Sequence, residues 1–129
     1  MKPSILLIED NEQNRYLVTY LLEKNGYEVV PAVSGPHGIE LAARVRPHLV
    51  LLDIQLPGMD GYEVARTLKN DPALRAIPIV AVTSYAMLGD REQAIAAGCD
   101  GYIEKPVNPE TFVAEVERFL PPKRKETAP

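Results

Sequence analysis

The chain has 129 residues, of which 46% are hydrophobic and 25% charged, with a net charge of −4 at neutral pH. That is enough sequence for one globular domain with one substantial core, and its acidic balance argues against general nucleic-acid binding. No apolar stretch approaches the roughly 20 residues needed to cross a bilayer, so a membrane span is not expected.

Met1-Lys2-Pro3-Ser4 runs directly into a strand-like segment, so no targeting peptide is expected. Cys99 is the sole cysteine, so no intramolecular disulfide is expected and a reducing cytoplasm fits. Its small neighbours Ala96, Ala97 and Gly98 suggest a buried, unreactive thiol.

Ser4 to Ile8 is the first apolar run, and it ends in the acid pair Glu9-Asp10. A helix follows from Asn11, with Leu17, Val18, Leu21 and Leu22 on one stripe, and stops at Asn25-Gly26. Tyr27 to Ala32 reads as a second, more polar strand suited to a sheet edge. Ser34 then caps a second helix with Pro36 in its first turn and Ile39, Leu41, Ala42 and Val45 facing inward.

The run from His48 to Leu52 is the most apolar strand and should be central, with Asp53 at its end. Pro57-Gly58 suits a type II turn, and Asp60 with Glu63 forms a capping-box pattern opening a third helix that buries Val64, Ala65 and Leu68. The fourth strand, Ile77 to Val82, ends in Thr83-Ser84. A fourth helix over Ala86 to Ala97 has a thin core stripe, mainly Leu88 and Ile95, and belongs at the low-stability end of the domain. Asp100 to Glu104 is the last strand, followed by Lys105-Pro106. Asn108-Pro109-Glu110 opens a last helix carrying Phe112, Val116, Phe119 and Leu120. The end, from Pro121 to Pro129, has no apolar periodicity and carries a basic cluster, Lys123-Arg124-Lys125. We expect a folded domain over residues 1–120 and a solvated tail over 121–129.

Strands alternating with helices imply an α/β fold with a parallel sheet and right-handed crossovers. Such sheets bind ligands outside the carboxyl ends of their strands. Glu9, Asp10, Asp53, Thr83 and Lys105 therefore converge at one edge. Like charges at 4 Å cost about 4 kcal/mol at an effective dielectric near 20, so the carboxylates call for a cation. Oxygen ligands of this kind suit Mg²⁺, with Asp10 and Asp53 as direct ligands, Glu9 direct or through water, and the Gln55 carbonyl completing the set. A carboxylate so placed can take up a phosphoryl group as nucleophile, with Lys105 and Thr83 steadying its oxygens. Neither histidine follows a strand on that edge, since His37 is expected in solvent on the second helix and His48 at the start of a strand on the opposite edge, so neither is expected to act in catalysis.

The segments Ile8-Glu9-Asp10-Asn11, Leu52-Asp53-Ile54-Gln55-Leu56-Pro57-Gly58-Met59-Asp60-Gly61, Val82-Thr83-Ser84 and Gly101-Tyr102-Ile103-Glu104-Lys105-Pro106 together resemble a response-regulator receiver domain over about residues 4 to 120. The resemblance implies a flavodoxin-like, doubly wound (βα)5 fold with a five-stranded sheet of order 2-1-3-4-5. It assigns the phosphoacceptor to Asp53, the acidic pair to Glu9 and Asp10, the switch hydroxyl to Thr83, the switch aromatic to Tyr102, and the family's lysine to Lys105, followed by a cis bond to Pro106. Glu9 stands where many members have Asp.

The implied function is a phosphoacceptor module of a two-component pathway or phosphorelay. It would be loaded by a sensor histidine kinase or a histidine phosphotransfer protein and would act on a downstream protein target, with Asn11, Gln13, Asn14 and Leu17 as candidate contacts for the donor. A phosphorylation-dependent dimer through the fourth helix, last strand and last helix is compatible with it. Glu9-Asp10-Asn11-Glu12-Gln13-Asn14 and Tyr85-Ala86-Met87-Leu88-Gly89-Asp90 look most like stand-alone receivers and receivers attached to hybrid kinases, and the end at Pro129 favours the stand-alone type.

Two other readings compete. A haloacid-dehalogenase-type aspartyl-phosphate hydrolase normally carries a second Asp two residues after the nucleophile, where this chain has Gln55. A flavodoxin-like cofactor binder would need a Ser/Thr/Gly-rich phosphate loop where this chain has Glu9-Asp10-Asn11-Glu12.

Overall fold

A computed structural model describes residues 2–84 and 89–120 of the chain. Five parallel strands, β1 (Ser4–Ile8), β2 (Glu28–Ala32), β3 (Leu49–Asp53), β4 (Ile79–Thr83) and β5 (Gly101–Glu104), form one sheet of order β2-β1-β3-β4-β5. Between and after them run α1 (Glu12–Lys24), α2 (Gly35–Val45), α3 (Gly61–Asn70), α4 (Asp90–Ala96) and α5 (Phe112–Glu117).

Every residue of β1, β3 and β4 is buried, because helices cover both faces of the sheet. Alternate residues divide between two cores. Leu6, Ile8, Val50, Leu52, Ile79 and Ala81 pack with Val64, Ala65 and Leu68 of α3 and with Ala42 of α2. Ile5, Leu7, Leu49, Leu51, Val80 and Val82 pack instead with Val18 and Leu22 of α1 and with Phe112 and Val116 of α5. The strand β2 is an edge, as its polar residues imply, and exposes Glu28 and Pro31.

Local signals act where the sequence puts them. The side chains of Asn11, Ser34 and Asp60 accept from the backbone N–H groups of Asn14, His37 and Glu63 and so cap α1, α2 and α3. Gly58 has φ 84°, as the Pro57-Gly58 turn requires. Gly61 has a different reason: a Cβ there would stand 2.5 Å from the Ile54 Cα, so only glycine lets α3 start against the end of β3. Cys99 is buried, and burial pushes its thiol up to about 11.

Several details depart from the sequence reading. Val45 of α2 and Ile95 of α4, both expected in the core, are 38% and 59% exposed. The helix α4 instead turns Ala94 inward, with Ala97 buried just beyond its end, because Ile95, one residue and so about 100° further round the helix, points off the face that meets the core. Expected core residue Leu88 lies outside the described residues, as do Tyr85, Ala86, Met87 and the 121–129 tail. Asn108 to Thr111 form turns ahead of α5, with the Asn108 side chain accepting from the Glu110 N–H. His48 precedes β3 rather than opening it and is exposed, while its Nδ1 accepts the Ser4 backbone N–H at 3.0 Å.

Candidate functional site

The sheet order reverses direction between β1 and β3, the place where a doubly wound fold opens a crevice at its carboxyl edge. Register then does the assembling. Ile8 is opposite Leu52, which sets Glu9 beside Asp53. Asp53 is opposite Val82, and Thr83 is opposite Glu104, which sets Thr83 and Lys105 along the same rim.

Glu9 and Asp53 are buried, with 3% and 4% of their surface exposed, while Asp10 faces solvent. One carboxylate oxygen from each of the three lies within 4.8 Å of the other two. The Lys105 ammonium reaches between them, 2.9 Å from Glu9 Oε1 and 3.3 Å from Asp53 Oδ2. Its backbone N–H donates to the Thr83 carbonyl at 2.8 Å, and the Lys105–Pro106 peptide is cis. The other Asp53 oxygen, Oδ1, accepts the Gln55 backbone N–H at 3.0 Å.

Burial drives the Glu9 carboxyl above its ordinary pKa, and the neighbouring Asp53 charge adds to that rise. Lys105 opposes both by hydrogen bond and charge without cancelling them. Three carboxylates against one ammonium leave the pocket short of positive charge. Three hard carboxylate oxygens at such separations fit a divalent cation of the Mg²⁺ type, which takes one or two protein carboxylates and keeps water in its remaining positions.

Thr83 is buried at the end of β4. Tyr102 is half-buried on β5, with the Arg91 guanidinium carbon 5.9 Å from its ring centre. The sequence-predicted residues Glu9, Asp10, Asp53 and Lys105 thus come together directly, with Thr83 and the Gln55 backbone beside them. Tyr102 and Pro106 lie on the segment that leads into and away from Lys105. A cavity of about 50 Å³ adjoins the cluster, lined on one side by Asn14 and Leu17 of α1.

Positioning contacts also appear that no motif signals. Arg15 Nη1 donates to the Glu9 carbonyl at 3.0 Å, and the Asn11 N–H donates to Glu9 Oε2 at 3.1 Å, so the start of α1 holds the acidic loop. Ser84 Oγ donates to Gln55 Oε1 at 3.0 Å and ties the loop after β3 to the end of β4. The Ser84–Gln55 pair depends on how two loops meet in space, which spacing along the chain does not encode.

Comparison with known proteins gives one consistent answer. Residues 5–117 match the family model described as the response regulator receiver domain. The polar-differentiation response regulators DivK of Brucella anthropi and Brucella ovis are each 42% identical over 120 residues, spanning 93% of this chain and 98% of theirs. Among solved structures, the chemotaxis protein CheY4 of Vibrio cholerae superposes with a TM-score of 0.88 at 27% identity, covering 93% of this chain and 100% of that one. The receiver domain of a Pseudomonas aeruginosa sensor histidine kinase, with magnesium coordinated in its active-site cleft, gives 0.85 at 33% identity, covering 92% and 98%.

Proposed function

The chain belongs to the response-regulator receiver family of two-component signalling, and from that premise we propose that Asp53 is its phosphoacceptor. The observation that carries this reading is the buried Asp53 carboxylate held between the Lys105 ammonium at 3.3 Å and the Gln55 N–H at 3.0 Å, beside two further acids.

A carboxylate oxygen of Asp53 forms the new O–P bond while the N–P bond of a partner's phosphohistidine breaks, its electron pair leaving with the imidazole. Glu9, Asp10 and Asp53, with the Gln55 carbonyl, would hold Mg²⁺, which when bound neutralises charge on the phosphoryl oxygens. Lys105 then steadies one phosphoryl oxygen and the Thr83 hydroxyl another. Neither histidine lines the cavity beside the cluster to activate water: His37 is exposed in the first turn of α2, its N–H donating to Ser34 Oγ, and His48 sits at the opposite end of the sheet. A persistent acyl phosphate suits a signal better than it suits turnover.

The output is a change of binding surface. Thr83 and Tyr102 lie on adjacent strands, so movement of the Thr83 hydroxyl toward the phosphoryl group alters the space open to the Tyr102 ring. A change in α4, β5 and α5 follows as a population shift between two packings. The partners are a sensor histidine kinase or histidine phosphotransfer protein on one side and a downstream protein on the other, in the cytoplasm. No helix among the described residues is long and apolar enough to cross a membrane.

The test is Asp53→Asn, which keeps the shape and removes the nucleophile. Wild type treated with acetyl phosphate and Mg²⁺ should gain the mass of one phosphoryl group, and the variant none. Undiminished uptake by the variant would remove Asp53 from the role. A haloacid-dehalogenase-type hydrolase gains no support from the geometry, because the Gln55 side chain bonds Ser84 and offers no acid or base beside Asp53.

A further inference from the structure

Tyr62, on the first turn of α3, donates its hydroxyl to Asp90 Oδ1 at 2.9 Å, and Asp90 is the first residue of α4. The two ends of this bond differ in how firmly they are held. The α3 helix is rooted by Val64, Ala65 and Leu68, each at most 2% exposed. The α4 helix buries only Ala94 within its span, leaves Ile95 in solvent, and starts at Gly89, which has φ 94° and no side-chain cap. Next along the chain, Arg91 stands over the Tyr102 ring. The start of α4 is thus tied on one side to a fixed helix and on the other to the aromatic residue assigned to the switch.

We propose that the Tyr62–Asp90 hydrogen bond is a latch that holds α4 in the placement described here, that this placement belongs to the unphosphorylated packing, and that the bond so sets how much phosphorylation is needed to switch the domain. This rests on the reading that Asp53 accepts the phosphoryl group. A bond made in only one of two packings biases their ratio by its net worth and no more. Burial and the Asp90 carboxylate both raise the Tyr62 pKa, so the phenol remains a donor across the physiological range. Tyr62 acts here as a positioning residue, 28 residues from its partner in sequence and outside the acid pocket.

The experiment uses Tyr62→Phe in the full chain, which removes one oxygen and keeps the ring packed on the core. With Mg²⁺ present, beryllofluoride serves as the phosphoryl mimic, and backbone amide resonances of α4 report its state. The latch requires half-saturation at about two- to tenfold lower beryllofluoride in the variant, the range of one ordinary hydrogen bond. It also requires α4 resonances displaced toward their bound positions before any mimic is added. Asp90→Ala should shift the midpoint the same way, and the double variant should shift it no further than either single change. Equal midpoints in wild type and a folded Tyr62→Phe, or additive effects in the double variant, would overturn the latch while leaving the phosphoacceptor reading in place. Failure of wild type itself to bind the mimic would overturn both.

Discussion

The Lys105 ammonium sits closer to Glu9, at 2.9 Å, than to Asp53, at 3.3 Å. It is shared between two buried carboxylates rather than paired with one. That sharing makes the site responsive, since neither acid is fully neutralised and both gain from added positive charge.

Removing the ammonium should expose that dependence. In Lys105→Met, two carboxylates each 4% exposed face one another without a cation. Metal-free stability should fall by about 1–3 kcal/mol, the range for stranding buried polar partners. Added Mg²⁺ should then stabilise the variant more than it stabilises wild type. Urea titrations with a chelator and with Mg²⁺ measure both effects, and an equal response to Mg²⁺ in the two proteins would contradict the shared-cation picture.

Glu9 sets a pH dependence with a definite sign. Its carboxyl is raised in the fold, first by burial and then by Asp53, against the pull of Lys105. The protonated form is therefore favoured by folding, and that contribution is present below the unfolded value, near 4.3, and lost as pH rises through the folded value. Glu9→Gln, which mimics the neutral acid, should stabilise the metal-free domain at neutral pH. The gain should vanish below about pH 4, where Glu9 is protonated in both states. Thermal melts across that interval decide it, and a variant no more stable than wild type at neutral pH would show that Lys105 outweighs burial.

Gly61 limits what the site tolerates. A Cβ there would meet the Ile54 Cα at 2.5 Å and the Asp53 carbonyl oxygen at 2.8 Å, both backbone atoms with no side-chain freedom to yield. Gly61→Ala should cost about 1–3 kcal/mol, as overpacking does. Because the strain falls on Asp53 itself, acetyl phosphate should load this variant more slowly. Normal loading and stability together would mean that α3 shifts without disturbing β3.

Lys69 offers the converse case, structure without function. Its ammonium donates to the carbonyls of Arg75 and Ile77, each at 3.1 Å, and pairs with Asp100 Oδ2 at 3.0 Å. The same Asp100 oxygen accepts the Ile79 N–H at 2.9 Å. The clamp binds the entries of β4 and β5, at the sheet end away from Asp53. Lys69→Met should lower stability by about 1–3 kcal/mol and leave the midpoint for beryllofluoride unchanged. A shifted midpoint would mean that the two ends of the sheet are coupled.

Much of the architecture is legible in the chain because its signals are local. Uninterrupted apolar runs mark β1, β3 and β4, and Asn25-Gly26, Ser34 and Asp60 mark where α1 stops and where α2 and α3 start. Legibility fails where burial depends on orientation rather than hydrophobicity. Ile95 looks like the better core residue than Ala94, yet Ala94 is enclosed and Ile95 is not, since Ile95 lies about 100° round the helix from the face that meets the core. Val45 fails in the same way at the end of α2.

The same division runs through the site. The order of residues along the chain determined which groups end each strand, and with them the chemical character of the rim: acids at the ends of β1 and β3, a hydroxyl at the end of β4, an ammonium at the end of β5. Side-chain period and strand propensity are properties of a few consecutive residues, so they are readable one segment at a time. Only the folded structure decided that Lys105 divides itself between Glu9 and Asp53, that Ser84 reaches Gln55, and that Tyr62 reaches Asp90. Those contacts join segments that are distant in sequence, and their lengths come from register, packing and the balance of charge attraction against desolvation, which no single stretch of residues contains.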